Sequence, residues 1–218
     1  MPVFSRRLRH FLPLFVVLCG AATAQTPGAA QLAKTVDARY NRLHSLQTRY
    51  TERYRGMGMD RTETGTLLLR KPGRMRWSYD APAGKVFLLD GKDAISYTPG
   101  DAQASRLPAR QLDDLRSPLR FLLGKTELAK ELDQLSVAPA EGGFTLSGTP
   151  RGMAERVRLI SLLVDAQGLI HGLQIDEVNG AITSFSFTDM HENVPATDRD
   201  FTFQPPPGVT IVNGSAPL

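Results

Sequence analysis

Apolar residues recur at helical spacing near the start of the chain. Leu32, Val36, Tyr40 and Leu43 follow one another at steps of three or four residues. This spacing predicts an amphipathic helix over residues 31–46. Such a helix packs on a sheet or lies on a membrane surface, and the first interpretation is favoured.

Beyond residue 46 the pattern changes to one typical of strands. Thr48, Tyr50, Glu52 and Tyr54 alternate with polar residues and predict one face of an extended segment. Turn signals then recur, of which Asp90-Gly91 and Asn179-Gly180 mark hairpins. About ten strands joined by short turns predict an antiparallel sandwich or barrel without a domain boundary.

Several predicted strands are apolar on both sides, at residues 67–69, 86–89 and 159–164. In a sheet with one face exposed to water, apolar and polar residues should alternate along each strand. We therefore expect these strands to be covered on both faces. Either helices pack on each side, or the sheet curls around an apolar interior. Few helices are predicted, which favours curling, and such barrels can hold a ligand.

A helical insert interrupts the strands at residues 111–133. Ser117 is a plausible cap and Pro118 suits the first helical position. Phe121, Leu122 and Leu123 form an apolar group that we expect to be buried against the concave face of the sheet.

The first 24 residues resemble a cleaved secretory signal. Three arginines precede the apolar stretch "FLPLFVVLCG", and Ala22 and Ala24 suit a cleavage site before Gln25. The apolar stretch is too short to span a membrane. A lipoprotein signal at Cys19 is the alternative, which Leu18 disfavours. The sequence therefore predicts a soluble exported protein, with residues 25–218 as one domain.

Removal of this signal changes the charge and the cysteine content. The formal charge of +4 includes Arg6, Arg7 and Arg9, so the processed chain carries about +1. Nucleic acid is therefore not an expected partner. The chain's one cysteine leaves with the signal, which excludes disulfides and thiolate-bound metals from the processed chain.

The processed sequence has no recognisable catalytic motif. His44, His171 and His191 lie far apart in the sequence, and there is no HExxH, GxSxG or phosphate-loop pattern. The carboxylates are scattered. We therefore expect no catalysis, no metal and no cofactor.

Three motifs follow one another along the chain: "GTLLLRKPGRMRWSYDAP", "VFLLDGKDAISYTPGDAQ" and the closing "FTFQPPPGVTIV". In this order they resemble the LolA family, the periplasmic carriers of outer-membrane lipoproteins, and the resemblance covers about residues 31–212. The resemblance implies an α+β fold that is mainly antiparallel β. It takes the form of an incomplete, half-open β-barrel in which helices cover an apolar cavity.

The resemblance also implies a function in the periplasm. Such a carrier accepts acylated lipoproteins from an inner-membrane ABC-type release complex and delivers them to an outer-membrane lipoprotein receptor. We expect a monomer without a cofactor. Burial of an acyl chain in an apolar site contributes about 0.8 kcal/mol per methylene. A carrier therefore needs an apolar cavity, and this cavity must close when it is empty.

Site residues follow from the matching motif positions. The acyl cavity and its cover are predicted to involve Leu67, Leu69, Met75, Trp77, Phe87, Leu89, Phe121, Leu122 and Leu123. The basic residue before the proline, which in the family bonds to the covering helix, is Lys71, and the adjacent Arg70 is predicted to share this role in holding the cover. Well-known members carry arginine there, and lysine offers a point charge instead of a planar fork. Alternatively, the apolar residues form an ordinary core.

Other functions remain open on the sequence alone. A carrier of another exported lipid or pigment precursor would use the same fold. An outer-membrane receptor would need a lipid-anchored Cys19. A secreted hydrolase of envelope lipids would need a nucleophile beside a base. An envelope-stress sensor would bind an anti-sigma partner.

Overall fold

One large sheet dominates the computed structural model, which describes residues 26–109 and 127–214. The sheet contains twelve strands. In chain order they are β1 (Ser45–Gly56), β2 (Met59–Arg70), β3 (Arg74–Tyr79), β4 (Val86–Asp90), β5 (Asp93–Tyr97), β6 (Gln103–Pro108), β7 (Leu132–Ala140), β8 (Gly143–Pro150), β9 (Val157–Val164), β10 (Ile170–Glu177), β11 (Ile182–Glu192) and β12 (Thr210–Asn213). The helices are α1 (Ala29–Asn41), α2 (Leu128–Glu131) and a 3-10 helix (Asp198–Phe201).

The strands are ordered β12-β6-β5-β4-β3-β2-β1-β11-β10-β9-β8-β7. Neighbours are antiparallel except β12 and β6, which run parallel. The mainly antiparallel prediction is confirmed. The sheet is open, with β12 and β7 as its edges. None of the helices within the described ranges has the length and hydrophobicity to cross a bilayer.

Both predicted hairpin turns are present. The Asp90 carboxylate accepts the backbone N–H groups of Lys92 and Asp93, at 2.7 and 2.8 Å, which closes the turn between β4 and β5. The Asn179 amide oxygen accepts the N–H of Ala181 at 2.9 Å between β10 and β11. The side chains of Asp and Asn thus supply turn bonds that the sequence signals imply.

The first helix ends earlier than predicted. It stops at Asn41, and β1 begins at Ser45, although the apolar spacing continues to Leu43. The backbone of His44 is bound elsewhere: its N–H donates to the Asn193 amide oxygen, and its carbonyl accepts from the N–H of Lys71. These contacts with distant segments override the local helical pattern.

The helical insert predicted at 111–133 also ends earlier than predicted, because β7 begins at Leu132. The single turn α2 precedes it. Phe121, Leu122 and Leu123 lie outside the described residues, as does the predicted signal peptide.

Helix α1 lies on one face of the sheet, called here the inner face. Its buried side chains, Leu32, Ala33, Val36 and Tyr40, join a large core cluster with residues of β1–β5 and β7–β11. A second, smaller cluster lies on the outer face, where Phe201 and neighbouring residues of the C-terminal segment cover Leu88 and Ile95. The apolar outer residues of β4 are therefore covered by the chain's own end, a cover that the sequence analysis did not foresee.

Candidate ligand-binding site

The predicted cavity residues that the structure describes form one patch on the inner face, called here the wall. Strand pairing arranges them in two rows across β2, β3 and β4. The rows are Leu67–Trp77–Phe87 and Leu69–Met75–Leu89. Each of the six side chains is at most 4 % exposed. Alternation along the three strands brings them together, because residues two apart share a face.

Aromatic rings from two further strands extend the wall. The Tyr50 ring meets Trp77 edge-on at 4.5 Å between centroids, and Phe185 lies 5.5 Å from Trp77. The Trp77 indole N–H donates to the Met75 sulfur at 2.9 Å. Tyr50 pairs across the strands with Gly65, where a Cβ atom would lie 2.7 Å from the tyrosine oxygen. Gly65 is therefore required for this ring packing.

Sequence reasoning did not assign Tyr50 or Phe185 to the site. Their alternating patterns predicted strands, but they lie on β1 and β11, which pair only in the folded chain. The position of Gly65, two residues before Leu67, was the available signal. A glycine within a strand often marks a place where another group approaches closely.

Lys71 joins the wall to α1. It lies just beyond β2, and its ammonium donates a hydrogen bond of 2.7 Å to the Tyr40 carbonyl oxygen in the last turn of α1. Carbonyls at a helix C-terminus lack partners within the helix, and cations are favoured there. Partial burial lowers the pKa of Lys71 below its usual value.

Three further contacts hold α1. The Tyr40 hydroxyl accepts the Ile170 N–H at 3.2 Å. Burial raises the pKa of Tyr40 to about 12, and the Ile170 bond opposes this only in part. The Asp37 carboxylate accepts the Leu128 N–H at 3.0 Å, and burial raises its pKa. Arg39 forms an ion pair of 2.6 Å with Glu192.

Arg70 lies on the outer face, away from α1. Its guanidinium donates to the Ala196 carbonyl at 3.0 Å and to the Asp198 carboxylate, and it lies 5.4 Å from the centre of the Phe201 ring. This placement corrects the expectation that Arg70 assists Lys71 at the helix. Arg70 is the last residue of β2 and follows the outer-facing Leu68 at a spacing of two.

A small cleft lies where α1 meets the wall. Tyr40, Leu43, Leu69 and Lys71 contribute to its lining. Its volume of about 10 Å³ leaves room for about one water molecule. In this conformation an acyl chain can reach the wall only if α1 or a neighbouring segment moves.

The match to a known family spans most of these elements. A sequence model described as "Outer membrane lipoprotein carrier protein LolA" matches residues 43–204, which include the wall and Lys71. The chain belongs to the LolA family. Its resemblance in "LLLRKPGRMRWSYDAP" is thereby confirmed.

Two relatives carry the name outer-membrane lipoprotein carrier protein. One, from Nitrosomonas europaea, is 21% identical over 91% of this chain and 97% of its own. The other, from Chromobacterium violaceum, is 26% identical over 93% of this chain and 98% of its own. A solved structure of an uncharacterized conserved protein from Thermus thermophilus shares the fold, with a TM-score of 0.54 at 12% identity over 85% of this chain and 99% of that one.

In the described ranges of this LolA-family chain, no group of three histidine, cysteine or acidic residues could hold a metal ion. His171 contacts Asp165 at 3.4 Å, and His191 contacts Asp189 at 2.9 Å, both at the surface. The arrangement of the site suits binding of an apolar ligand.

Proposed function

We propose that this protein is a carrier of acylated lipoproteins in the periplasm, which binds their acyl chains on the wall after α1 has moved aside. The observation that carries the proposal is the Lys71–Tyr40 hydrogen bond, which joins the last turn of α1 to the end of β2 beside the large apolar contact between the helix and the sheet. Family membership and the predicted signal peptide support the cargo and the compartment.

Acyl chains and α1 compete for the same apolar surface. Burial of Leu32 and Val36 contributes about 1.5–3 kcal/mol each to holding the helix. About ten methylenes of an acyl chain contribute about 8 kcal/mol when they are buried. Burial of the acyl chains therefore offsets the burial that α1 loses when it moves aside. Cargo selects the open form from the population of closed and open molecules.

The Lys71 contact suits a carrier that must also release its cargo. When α1 moves, the Lys71 ammonium and the Tyr40 carbonyl separate, and water can then solvate each of them. A hydrogen bond of this kind contributes about 1 kcal/mol net. It biases the molecule towards the closed form without locking it, so a receptor with greater affinity for the acyl chains can remove them.

The remaining steps follow from the family. The carrier takes lipoproteins from an inner-membrane ABC-type release complex and transfers them to an outer-membrane receptor. It acts as a monomer and without catalysis. We expect the predicted insert, with Phe121, Leu122 and Leu123, to join α1 as a cover, which would make the open sheet a half-open barrel around the acyl chains.

Trp77 provides the test, because it is the only tryptophan of the chain and lies fully buried in the wall. A lipoprotein with brominated acyl chains should quench Trp77 fluorescence when it is released from inner-membrane vesicles into solution by the carrier. The soluble quencher acrylamide should have little effect before cargo is added.

Three outcomes are distinguishable. Quenching by brominated lipoprotein supports the proposal. Equal quenching by a brominated phospholipid, without removal of lipoproteins from the vesicles, would indicate that the protein carries another lipid. Absence of quenching with both lipids contradicts acyl binding on the wall.

A further inference from the structure

A broad cleft, called here the outer cleft, lies on the outer face of the sheet, away from α1 and the wall. Its volume of about 530 Å³ is far larger than that of the cleft beside Lys71. Pockets of about 300–1,000 Å³ are the size that holds small organic ligands in proteins. The proposed carrier function makes no use of this cleft.

Three neighbouring strands form one side of the outer cleft. Arg76 of β3, Val86 of β4 and Tyr97 of β5 line it there, and Val86 pairs directly with Tyr97. The segment that follows the 3-10 helix forms the opposite side, where the Phe203 ring lies 5.6 Å from the Tyr97 ring. Val86 and both rings belong to the core cluster around Phe201, so the apolar surface of that cluster continues into the cleft.

Two turns of the chain border the outer cleft at one end. Gly84 lies between β3 and β4, and Pro99 lies between β5 and β6. A Cβ atom at Gly84 would lie 3.3 Å from the Pro99 Cγ, so the two turns are in close contact. Segments that are far apart in the sequence therefore enclose the cleft from several sides.

The charged groups that line the outer cleft are both cationic, namely Arg76 and Arg199. The Arg76 guanidinium is held in place, since it donates to the Ser78 hydroxyl at 3.2 Å and to the Asp200 carbonyl oxygen at 3.1 Å. A guanidinium has five N–H donors, so Arg76 keeps donors for a ligand. Arg199 is exposed, and its side chain makes no hydrogen bond or ion pair with another residue that the structure describes.

Two acidic residues flank Arg199 in the 3-10 helix, but both are bound to other groups. Asp198 forms ion pairs with Arg70 and, at 3.6 Å, with Arg74. The Asp200 carboxylate closes the capping box at the start of the helix. With the two arginines of the cleft, this makes four arginines against two aspartates, a formal excess of +2. The excess at this one place is larger than the charge of about +1 on the whole processed chain.

From these features we infer that the outer cleft binds a small amphipathic anion, namely a phosphate monoester carried on an apolar group. The guanidinium groups of Arg76 and Arg199 suit phosphate oxygens, which arginine can bind in pairs. A phosphate monoester carries nearly two negative charges at neutral pH, and two arginines without an acidic residue complement it. The Tyr97 and Phe203 rings suit the apolar group. This inference does not rest on the proposed carrier function.

The outer cleft and the wall can be occupied independently. Arg76 lies between Met75 and Trp77 in β3, and alternation along the strand points it to the opposite face from these two wall residues. A ligand in the outer cleft would contact both the strands and the segment after the 3-10 helix. It would therefore hold the cover of Phe201 on the sheet without touching α1.

Titration calorimetry with 1-naphthyl phosphate tests the inference. The processed chain should bind this probe with a dissociation constant of about 1 mM or lower, as expected for a ligand of this size. 1-Naphthol lacks the phosphate and inorganic phosphate lacks the apolar group, so each should bind at least about tenfold more weakly. Equal binding of 1-naphthol, or absence of binding by 1-naphthyl phosphate, overturns the inference.

A charge variant with a matched control locates the site. Arg199→Gln should weaken binding of 1-naphthyl phosphate about fivefold, whereas Arg42→Gln, an exposed arginine beyond the end of α1, should not change it. Thermal unfolding of each variant confirms that it is folded. Equal affinities of Arg199→Gln and the wild type overturn the inference.

NMR spectra separate the outer cleft from the wall. The probe should shift the ring signals of Tyr97 and Phe203 but leave the indole N–H signal of Trp77, the only tryptophan of the chain, in place. A shift of the Trp77 signal without a change at Tyr97 and Phe203 would place the probe on the wall and overturn the inference. Neither result bears on quenching of Trp77 by brominated lipoprotein.

Vesicles of phosphatidylcholine with phosphatidic acid, which is itself a phosphate monoester, distinguish a lipid headgroup from a soluble ester. Co-sedimentation that Arg199→Gln weakens would identify the lipid as a source of the ligand. Binding of 1-naphthyl phosphate without co-sedimentation would identify a soluble ester. Both results support the inference, whereas co-sedimentation that Arg199→Gln leaves unchanged, with no binding of 1-naphthyl phosphate, contradicts it.

Discussion

Arg70 and Lys71 are consecutive residues whose side chains bind opposite faces of the sheet. Lys71 donates to the Tyr40 carbonyl in α1, whereas Arg70 donates to Ala196 and Asp198 in the C-terminal segment. The end of β2 is therefore fixed from both sides. This division allows the two contacts to be removed separately and their effects compared.

Removal of the inner contact should favour opening of α1. Lys71→Met keeps the length of the side chain but removes the donor to Tyr40, which should lower the free energy of unfolding by about 1 kcal/mol. The same loss, applied to opening, should increase binding of an apolar fluorescent probe about fivefold. Lys34→Met, an exposed lysine of α1, is the control and should change neither quantity. Equal probe binding by both variants would contradict the role of Lys71.

Removal of the outer contact should have a different effect. Arg70→Met loses the bonds to Ala196 and Asp198 and the contact with the Phe201 ring, which should lower the free energy of unfolding by about 1–2 kcal/mol. Because α1 is untouched, probe binding should stay at the wild-type level. Urea unfolding and probe titration measure the two effects. An increase in probe binding equal to that of Lys71→Met would show that the two faces are not independent.

Gly168 should be required for the seating of α1. It lies between β9 and β10 with a φ of +81°, and a Cβ atom there would lie 2.8 Å from the Thr35 carbonyl oxygen of α1. Gly168→Ala should therefore destabilise the fold by more than the strain at a positive φ alone, which exceeds about 1 kcal/mol.

Gly208→Ala is the matched control for Gly168→Ala. Gly208 has a φ of +82° and no atom within 4 Å of its added Cβ. The difference between the two variants in thermal or urea unfolding isolates the contact with α1. Equal destabilisation would mean that α1 adjusts without cost.

Tyr40 should make the stability depend on pH in the alkaline range. Burial raises its pKa from 10 to about 12, so the folded state favours the neutral phenol. The contribution of the neutral phenol to the free energy of unfolding is fully present below pH 10 and is lost as the pH rises towards 12. Two pH units correspond to about 2.7 kcal/mol.

The variant Tyr40→Phe lacks this titration. It should be less stable than the wild type at neutral pH by about 1 kcal/mol, because it loses the bond from Ile170. The difference in free energy of unfolding between this variant and the wild type should shrink or reverse as the pH rises towards 12. Urea unfolding at several pH values measures the gap, and a constant gap would contradict the burial of the phenol.

Local patterns predicted the strands well. Alternation from Thr48 to Tyr54 gave the inner face of β1, and the spacing of Met75 and Trp77 places both on one face of β3. Such patterns succeed because strand geometry fixes which residues share a face. Their arrangement into rows then followed from short hairpins, whose register is set by local turns.

Contacts between distant segments were harder to predict. Nothing near Leu43 shows that Asn193 binds the backbone of His44 and ends the helical pattern. Nor does the sequence around Leu88 show that Phe201 covers it. The apolar outer residues of β4 therefore favoured a curled sheet, although part of their cover comes from the C-terminal segment. The pairing of β1 with β11 likewise joins residues more than a hundred positions apart.

The cluster around Phe201 gives the sheet a second source of cohesion. Under the proposed function, a carrier that empties and refills one side of its sheet risks unravelling each time that side loses its apolar partner. On the other side, Val86, Leu88, Ile95 and Ala104 of β4 to β6 pack against Phe201. These strands would then serve as a rigid frame while acyl chains and α1 exchange on the inner face.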